Sequence, residues 1–334
     1  MARLNDTALL RNVDFDTLRD AVLAEARTYG LELLRDGADG ACVRWTEGCV
    51  EFTRHDSGCM AQVSAERADL LQTMRDGVVA HVAARAPEAA LALRWSGQDA
   101  AGALPANARV MRVESVERLD CGFTRIALRG DVSRFSNTAI HFRLGLPPEG
   151  RTPVWPTVGS NGATVWPKGE DALHLPVYTA LEAEGDRLVF DIFRHEGGRA
   201  TAWADGAPVG SQVVVVGPGG GGCEIEGAII AHADDTAFPA IARILAACPD
   251  LSGTVHLYPS TDAAARYPFP PHDGVTLMRH QGKRDRMASA ACDVIRTDRH
   301  AWFAGERRQA ERVRKAWKTA GGSARQSYIA AFWQ

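Results

Sequence analysis

The sequence predicts a multidomain chain with a small α+β domain, a six-stranded antiparallel β-barrel and an α/β domain on a parallel sheet. Three observations in its 334 residues support this order. The first part of the chain contains both helical patterns and short apolar runs typical of strands. The middle part contains only short apolar runs. In the last part, apolar runs alternate with helical patterns. We therefore place the domains at residues 1–95, 105–222 and 226–334.

The first domain begins with a predicted helix over residues 15–28, where apolar residues recur at helical spacing and Asp14 is suited to cap the first turn. A second helical pattern covers residues 65–84, an apolar run at 89–95 closes the domain, and the small residues of 96–108 predict a linker. Between the helices, glycines and aspartates separate four runs of a small antiparallel sheet, at 31–34, 41–45, 49–53 and 60–63.

The middle of the chain has an all-β pattern, which predicts a small antiparallel barrel. Turn-rich pieces separate its runs, and the longest piece, Pro147 to Asp171, predicts a loop over the barrel mouth. The six runs cover residues 109–116, 123–128, 139–146, 174–181, 187–193 and 213–216.

The last domain combines strand-like runs with helical segments, which is typical of a mostly parallel sheet with helices on both faces. Neither an internal repeat nor a low-complexity tract interrupts it. The predicted strands cover residues 228–231, 255–258, 274–278, 301–304 and 327–333, and the predicted helices cover 236–247 and 306–320.

Composition excludes several classes of function. A net charge of −3 gives no reason to expect a nucleic-acid partner. The first residues lack the apolar core of a secretion signal, and no run approaches the length of a membrane span, so we expect no membrane insertion and a cytoplasmic location. The seven cysteines form no CxxC pair, and the ten histidines form no HxH or HExxH pattern, so we expect reduced thiols and no metal site. The oligomeric state is open.

Two features of residues 175–222 are typical of a flavin site. Tyr178 and Thr179 end an apolar run, and an aromatic ring beside a hydroxyl is suited to stack on a flavin and hydrogen-bond its edge. The alternative for this pair is a place in the barrel core. Glycines before a helix start let backbone amides approach a pyrophosphate, although an ordinary turn is the alternative. The residues of this second feature are Gly197, Gly198, Arg199, Ala200 and Thr201, with Trp203 inside the helix.

Two further segments have a structural and a functional interpretation. Gly217 to Gly222 lacks the GxGxxG spacing of a dinucleotide site, and we interpret it as a hinge rather than a phosphate cradle. Asp234-Asp235-Thr236 follows a strand and precedes a helix, so its carboxylates are suited to cap that helix. A dinucleotide would bind at the carboxyl ends of these strands, near Thr236 and Gly305-Glu306.

In combination, these segments resemble the siderophore-interacting protein family of flavin-dependent ferric-siderophore reductases, which are related to ferredoxin reductases. Ile140 to Leu144 is similar to the family's His-Val-Lys-Leu strand, and Tyr178-Thr179 falls on its Arg-x-Tyr-Thr-x-Arg flavin motif. Residues 1–95 resemble a small domain of unknown function that is found fused to, or beside, these reductases. Four more matches are Val165 to Asp171, Gly197 to Ala204, Asp234 to Ile241, and the pair of segments Trp302 to Glu306 and Ser327 to Trp333.

The resemblance implies a flavin-binding barrel of the ferredoxin-reductase type. It also implies a reaction in which hydride passes from NADPH or NADH to FAD, and single electrons then reduce the Fe(III) of a chelated siderophore. No residue is assigned an acid or base role. For FAD, the implied contacts are Tyr178 on the flavin ring, Thr179 at its edge, Phe332 and Trp333 over the second flavin face, and Gly198, Ala200 and Thr201 at the pyrophosphate. Thr236 and Glu306 are implied on the nicotinamide side. Arg143 and Lys168 are implied to attract an acidic chelate.

Departures from the family pattern leave a second function open. Pro176 and Leu181 stand where the family has two arginines facing the flavin phosphate. Loss of one such charge-assisted contact costs about 1.5–3 kcal/mol, roughly 10- to 150-fold in affinity. Arg199 replaces a family proline and is a candidate to compensate, whereas Tyr258-Pro259-Ser260 replaces an acidic segment that helps to hold the adenosine of the nicotinamide cofactor. The alternative is a flavin-less siderophore- or iron-responsive binding protein on the same fold.

Overall fold

The computed structural model describes residues 3–45, 48–97, 101–206 and 209–334. The chain divides into two compact units. The first contains Met1–Arg109 and Pro147–Leu173, and the second contains Val110–Leu146 and His174–Gln334.

The first unit is a five-stranded antiparallel sheet with helices packed on it. The strand order is β1-β5-β4-β3-β2, and Asp14 caps α1 by accepting a hydrogen bond from the Thr17 amide, as predicted. One unbroken apolar core joins the sheet to all three helices. The elements are β1 Leu4–Arg11, α1 Phe15–Tyr29, β2 Glu32–Gly37, β3 Gly40–Trp45, β4 Gly48–His55, β5 Gly58–Ala65, α2 Ala68–Ala83 and α3 Pro87–Ala92.

Strand β1 is absent from the prediction because a charged residue interrupts its apolar alternation. Asp6 occupies one of the inward positions, next to the buried Ala8 and Leu10. There its carboxylate pairs with Arg75 and accepts a hydrogen bond from the Gly97 amide. A buried, paired carboxylate therefore breaks the apolar alternation by which this strand would be recognised, although its other inward residues are apolar.

Two segments predicted as connections are integral parts of the first unit. Residues 147–173 belong to this unit rather than to the unit that contains the barrel, which corrects the prediction of a loop over the barrel mouth. They include the short strands β9 Thr157–Val158 and β10 Thr164–Val165, and Asp76 of α2 accepts hydrogen bonds from the Thr164 amide and hydroxyl. In the described part of the predicted linker, the Gly102 amide donates to Val158 O at 2.9 Å.

The second unit begins with a curved sheet of seven strands, so the predicted count of six is wrong by one. The additional strand, β12, forms a hairpin with β13. The strand order is β11-β8-β14-β6-β7-β13-β12, so four strands separate β11 from β13. The ring of Tyr178 on β11 nevertheless lies 5.1 Å from the ring of Phe190 on β13, measured between centroids. The sheet therefore curves round one core. The strands are β6 Ala108–Leu119, β7 Phe123–Arg129, β8 His141–Gly145, β11 Val177–Thr179, β12 Glu182–Glu184, β13 Arg187–Phe193 and β14 Gln212–Gly219, with α4 Arg199–Gly206 before β14.

A parallel five-stranded sheet follows, in the order β17-β16-β15-β18-β19. Helix α5 packs on one face, and α6 and α7 pack on the other, as the alternating pattern predicts. Phe123 of β7 lies within the core that α5 covers, so the curved sheet and the parallel sheet share that core. The elements are β15 Ala228–Asp234, α5 Phe238–Ala247, β16 Ser252–Tyr258, β17 Val275–Arg279, α6 Met287–Asp293, β18 His300–Glu306, α7 Arg307–Thr319 and β19 Ser327–Trp333.

The described helices include none that is both long and apolar enough to cross a bilayer. Helix α6 is absent from the prediction because its seven residues are too few to show a helical period.

Candidate flavin and nucleotide site

Tyr178 lies on edge strand β11 and packs against the barrel core. Its ring lies 6.4 Å from Phe142 and 5.1 Å from Phe190, measured between centroids. Burial raises the pKa of the Tyr178 phenol, so the ring stays neutral. The core interpretation and the stacking interpretation of this residue are therefore compatible, because the core supports a ring that is half-buried rather than enclosed.

Thr179 is part of a hydrogen-bonded line that the sequence does not predict. Its Oγ1 lies 3.1 Å from His141 Nδ1, and His141 Nε2 lies 3.1 Å from the Tyr328 hydroxyl. His141 is 7% exposed, and burial lowers its pKa to about 4, so the imidazole is neutral at pH 7. Because Tyr328 belongs to β19, this line joins the curved sheet to the parallel sheet.

Two glycines after β14, Gly220 and Gly221, lie against the rings of this line. A Cβ atom at Gly220 would lie 2.8 Å from His141 Cδ2, and one at Gly221 would lie 2.4 Å from Tyr328 Cε2. The backbone also holds its place, since the Gly221 carbonyl accepts a hydrogen bond from the Ile140 amide. These glycines let the backbone pass close to two rings, which gives them a packing role that the hinge interpretation does not include.

The start of α4 presents unpaired backbone donors. Gly197 adopts a φ of +73°, a conformation that glycine accommodates without strain. Among the described residues, the amides of Arg199, Ala200 and Thr201 have no hydrogen-bond acceptor. Three such donors at the positive end of a helix suit a phosphate group.

Arg199 adds a positive charge at the same place. Its side chain is exposed and makes no hydrogen bond or ion pair within the described ranges. Burial lowers the pKa of His174, and the Arg199 charge lowers it further, so the two groups are close in space.

The two positions that lack arginine have different surroundings. The carbonyl of Pro176 accepts a hydrogen bond from the Leu144 amide at the edge of the sheet, where a proline costs no ladder bond. Leu181 instead packs against the core shared with the parallel sheet, and its carbonyl accepts a hydrogen bond from Arg243 at 2.9 Å. An arginine is therefore easier to accommodate at 176 than at 181.

A buried carboxylate organises the carboxyl end of the parallel sheet. Asp234 is fully buried, and its Oδ1 accepts hydrogen bonds from the amide and hydroxyl of Thr236, at 3.0 and 2.6 Å. Its Oδ2 accepts from Arg284 Nη2 at 3.0 Å and from the Trp333 indole at 2.7 Å. The Arg284 guanidinium also lies 4.3 Å from the centre of the Trp333 ring. Asp235 does not cap a helix but accepts from the Ser260 amide.

The residues predicted for the nicotinamide side, Thr236 and Glu306, and those predicted for the second flavin face, Phe332 and Trp333, fall into two clusters. Thr236 and Trp333 meet at Asp234, and Glu306 is the register partner of Trp333 and caps α7 by accepting from the Gln309 amide. Phe332 instead packs edge-on against His141, with 5.3 Å between centroids. The two terminal aromatic residues therefore serve different parts of the site.

Unpaired cations lie beside the Asp234 cluster. The Gln309 amide group donates to the carbonyl of Arg284, which places the first turn of α7 next to the turn after β17. The side chains of these exposed cations make no hydrogen bond or ion pair among the described residues. They are Lys283, Arg286, Arg307 and Arg308.

Comparison with known proteins identifies the family. Residues 112–222 match the siderophore-interacting FAD-binding domain, and residues 227–334 match the siderophore-interacting protein domain. The chain belongs to the siderophore-interacting protein family. The family match makes FAD the cofactor of the curved sheet, as predicted.

Individual relatives of this siderophore-interacting protein agree with that assignment. An NADPH-dependent ferric-chelate reductase of Escherichia coli K12 is 36% identical over 118 residues, which are 34% of this chain and 45% of that protein. The chain thus spans less than half of this relative. Two solved structures share the fold. The siderophore-interacting protein SipS from Aeromonas hydrophila has a TM-score of 0.54 and 19% identity, and the match covers 68% of this chain and 98% of that chain. A siderophore utilization protein from T. fusca has a TM-score of 0.57 and 24% identity, and the match covers 68% of this chain and 92% of that chain.

The residues of this siderophore-interacting protein fit FAD by donor type. Tyr178 offers a supported ring, and the start of α4 offers unpaired amides with the Arg199 cation beside them. Pro176 and Leu181 carry no positive charge, whereas the family pattern has an arginine at each of these positions. The described residues therefore offer backbone donors and the Arg199 cation, which are the kinds of group that suit the phosphates of FAD.

The proposed substrate residues and the histidines require separate comment. Arg143 is exposed on β8 of the second unit, whereas Lys168 is exposed in the first unit. The histidines that seemed scattered in sequence include three that meet: His232 stacks on His256 at 4.5 Å, and His256 Nδ1 lies 2.9 Å from His280 Nε2. In the described ranges, no group of histidine, cysteine or carboxylate side chains is arranged to hold a metal.

His141, Tyr328, Asp234 and Arg284 form the site residues that sequence reasoning missed or undervalued. Two had a signal, since His141 stands in the strand similar to His-Val-Lys-Leu and Asp234 ends a strand before a helix. Tyr328 and Arg284 had none, because 187 residues separate Tyr328 from His141 and 50 separate Arg284 from Asp234.

Proposed function

We propose that this protein reduces ferric siderophores with electrons from NADPH, through FAD held by the curved sheet. The observation that carries the proposal is the 3.1 Å contact between His141 on β8 and Tyr328 on β19. It brings the flavin-ring side of the curved sheet against β19, whose Trp333 meets Thr236 at Asp234 and pairs in register with Glu306, the two proposed nicotinamide-side residues. A reductase needs this juxtaposition, because donor and acceptor must meet for hydride transfer.

The chain's own residues bind and orient in this proposal. Tyr178 supports the flavin ring, Thr179 hydrogen-bonds its edge, and the α4 amides with Arg199 hold the phosphates. When bound, FAD converts the two-electron hydride of NADPH into single electrons for Fe(III). Phe332, packed edge-on against His141, is the residue proposed to cover the second flavin face from β19.

The NADPH preference rests on the relative's name and on charge. That relative is NADPH-dependent. In this chain, Lys283, Arg286, Arg307 and Arg308 offer unpaired positive charge at the carboxyl edge of the parallel sheet, where dinucleotides bind. The segment Tyr258-Pro259-Ser260 lacks the carboxylate that would accept a ribose 2′-hydroxyl and repel a 2′-phosphate.

The proposed substrate is an acidic ferric chelate near the exposed ring edge. Arg143 is the proposed attracting group, since it lies on the outer side of β8, next to the buried His141 and Phe142. The role of Lys168, which lies in the other unit, stays a prediction from the sequence. A cytoplasmic location stays a prediction.

The test is an anaerobic assay of purified protein with FAD, NADPH and a ferric siderophore, in which a coloured Fe(II) chelator reports product. We expect bound flavin, seen by its visible absorption, and Fe(II) formation that requires both FAD and NADPH. Arg143→Ala should raise KM for the ferric chelate and leave FAD binding unchanged. Arg296→Ala, which removes an exposed arginine paired with Asp298, is the matched control for loss of one positive charge.

The second candidate is a flavin-less siderophore- or iron-responsive binding protein. It is favoured by the absence of a positive charge at 176 and 181 and by the packing of Leu181 into a core. Titration of the apo-protein with FAD and with ferric chelates separates the two functions. Chelate binding without FAD binding would establish this candidate and reject the reductase, and a protein that binds neither would reject both.

A further inference from the structure

We propose that the basic surface of α7 attracts NADPH from solution and speeds its approach to the carboxyl edge of the parallel sheet. This surface consists of the exposed side chains of Arg307, Arg308, Arg312, Lys315 and Lys318. The effect on the reaction rate rests on the proposed function, whereas the attraction of a 2′-phosphorylated nucleotide is a property of the protein alone.

Positive charge is concentrated in the last part of the chain. Residues 279–334 contain 13 lysines and arginines but five aspartates and glutamates, which gives this segment a net charge of +8. Because the whole chain has a net charge of −3, the other residues together carry −11. The segment is therefore a cationic region on an otherwise anionic chain, and such a region raises the rate at which anions arrive.

The outer face of α7 is basic along its length. The 13 residues of this helix span about 20 Å, and Ala310, Val313 and Trp317 are buried on its inner face. Residues three and four positions apart are neighbours on a helix, so the basic side chains form a continuous stripe on the outside. Glu311 is the acidic residue exposed among them. The basic surface of α7 therefore keeps a clear excess of positive charge.

This surface leads to the place where a dinucleotide would bind. Helix α7 begins directly after β18, and Gln309 in its first turn donates to the carbonyl of Arg284 in the turn after β17. That turn adds the exposed Lys283 and Arg286. Asp234, the buried carboxylate at this edge, is already paired with Arg284 and repels an anion little. Dinucleotides bind at the carboxyl edge of such sheets, so the basic surface ends at that position.

NADPH is the anion that this position favours. Its pyrophosphate and 2′-phosphate together carry about four negative charges, and NADH, which lacks the 2′-phosphate, carries about two. The proposed acidic chelate is assigned to a different element, since Arg143 lies on β8 of the curved sheet. The basic surface of α7 should therefore act on the reduction of FAD and act more strongly on NADPH than on NADH.

The reach of these charges depends on ionic strength. Lys315 follows the start of α7 by about 12 Å along the helix axis. The Debye length is roughly 14 Å at about 0.05 M salt and roughly 4 Å at about 0.5 M salt. Lys315 therefore influences the approach of a dinucleotide at low salt without contacting it, and this influence disappears at high salt.

Stopped-flow reduction of bound FAD tests the proposal, through the second-order rate constant with NADPH and the limiting rate at saturation. At about 0.05 M salt, Lys315→Glu should lower the rate constant about two- to fivefold, and Glu311→Lys should raise it by a similar factor. Both factors should be smaller with NADH and vanish at about 0.5 M salt, with an unchanged limiting rate.

Glu226→Lys is the matched control. Glu226 is exposed and precedes β15, so the control makes the same substitution as Glu311→Lys at the opposite edge of the same sheet. It should change the rate constant by less than about 1.5-fold, because several Debye lengths of strand separate it from the carboxyl edge at high salt and more than one does so at low salt. Equal effects of Glu311→Lys and Glu226→Lys, or rate constants that do not respond to salt, overturn the proposal.

Two further outcomes separate this proposal from the proposed function. If the variants alter the oxidation of reduced FAD by the ferric chelate and leave its reduction by NADPH unchanged, the surface serves the chelate and the proposal is rejected. If the wild type binds no FAD, the proposed function is rejected, and calorimetry of the apo-protein with 2′,5′-ADP and 5′-AMP decides the attraction. Affinity for 2′,5′-ADP should then fall in Lys315→Glu at low salt, and an unchanged affinity overturns the proposal.

Discussion

The ring side and the phosphate side of the proposed flavin site are built differently. On the ring side, Thr179 and His141 are buried and hydrogen-bonded to fixed partners, and Tyr178 rests on two core phenylalanines. On the phosphate side, the start of α4 offers backbone amides, an exposed Arg199 and a glycine with positive φ. The ring side departs little from the family pattern, and the phosphate side departs strongly.

The difference shows where substitution is tolerated. A buried polar line loses stability when one member changes, because the others are left without partners. Backbone amides do not depend on side-chain identity, so a phosphate subsite built on them keeps its donors when neighbouring arginines are lost. This explains how Pro176 and Leu181 are compatible with a chain that still matches a FAD-binding domain.

The largest expected effect is on the ring side and concerns pH. The pKa of His141 is about 4 in the folded protein and about 6.5 when unfolded, so the unfolded chain binds a proton first as pH falls. Stability is therefore lost progressively from about pH 6.5 to pH 4, by up to about 3 kcal/mol. Urea unfolding at several pH values measures this, and His141→Gln should reduce the pH slope without abolishing it, because burial also lowers the pKa of His232, to about 3.

His195→Gln is the control, because it removes an exposed imidazole from the same unit. A pH slope that stays the same in His141→Gln would show that His141 takes up protons in the folded state and that the ring side is not held by a buried neutral imidazole.

A second prediction separates the two missing arginines. Leu181→Arg should lower the free energy of unfolding by about 2–3 kcal/mol, since Leu181 packs into the shared core. Pro176→Arg, at the edge of the sheet, should cost less than about 1 kcal/mol and tighten FAD binding roughly tenfold. Urea unfolding and FAD titration measure both, with Leu181→Met as the volume-conserving control. Unchanged stability with tighter FAD in Leu181→Arg would place that side chain at the phosphate instead.

The sequence predicts the order of domains and most elements, because apolar periodicity is local. It fails where a buried polar group interrupts that periodicity, as at Asp6, or where the segment is too short to show a period, as in α6. For the proposed site, local motifs single out Thr179 and the start of α4 as candidates. They cannot reveal that Tyr328 reaches His141 or that Gly220 and Gly221 make room for those rings, since these contacts depend on the packing of two sheets.

The third prediction addresses the backbone cradle. Gly197→Val places a β-branched residue at a φ of +73°, which costs about 1–2 kcal/mol locally and turns the following amides away from their present direction. FAD affinity should fall about 10- to 100-fold. Gly206→Ala at the other end of α4, where a Cβ meets open space, is the control and should keep the wild-type affinity. Equal FAD affinity in both variants would mean that the amides do not hold the phosphate.

The smallest expected effect tests whether positive charge has moved from position 176 to position 199. Arg199 is the first residue of α4, where proline is compatible with a helix and where the amide has no described partner, so Arg199→Pro removes a cation without breaking the helix. FAD affinity should fall about tenfold or less, and NMR should show the pKa of His174 rising part of the way toward its ordinary value, because burial still lowers it. The double variant Pro176→Arg/Arg199→Pro should recover most of the affinity, since the charge then stands where the family has it. A double variant as weak as Arg199→Pro alone would show that the two positions do not face the same phosphate, and that Arg199 is no replacement for the missing arginine.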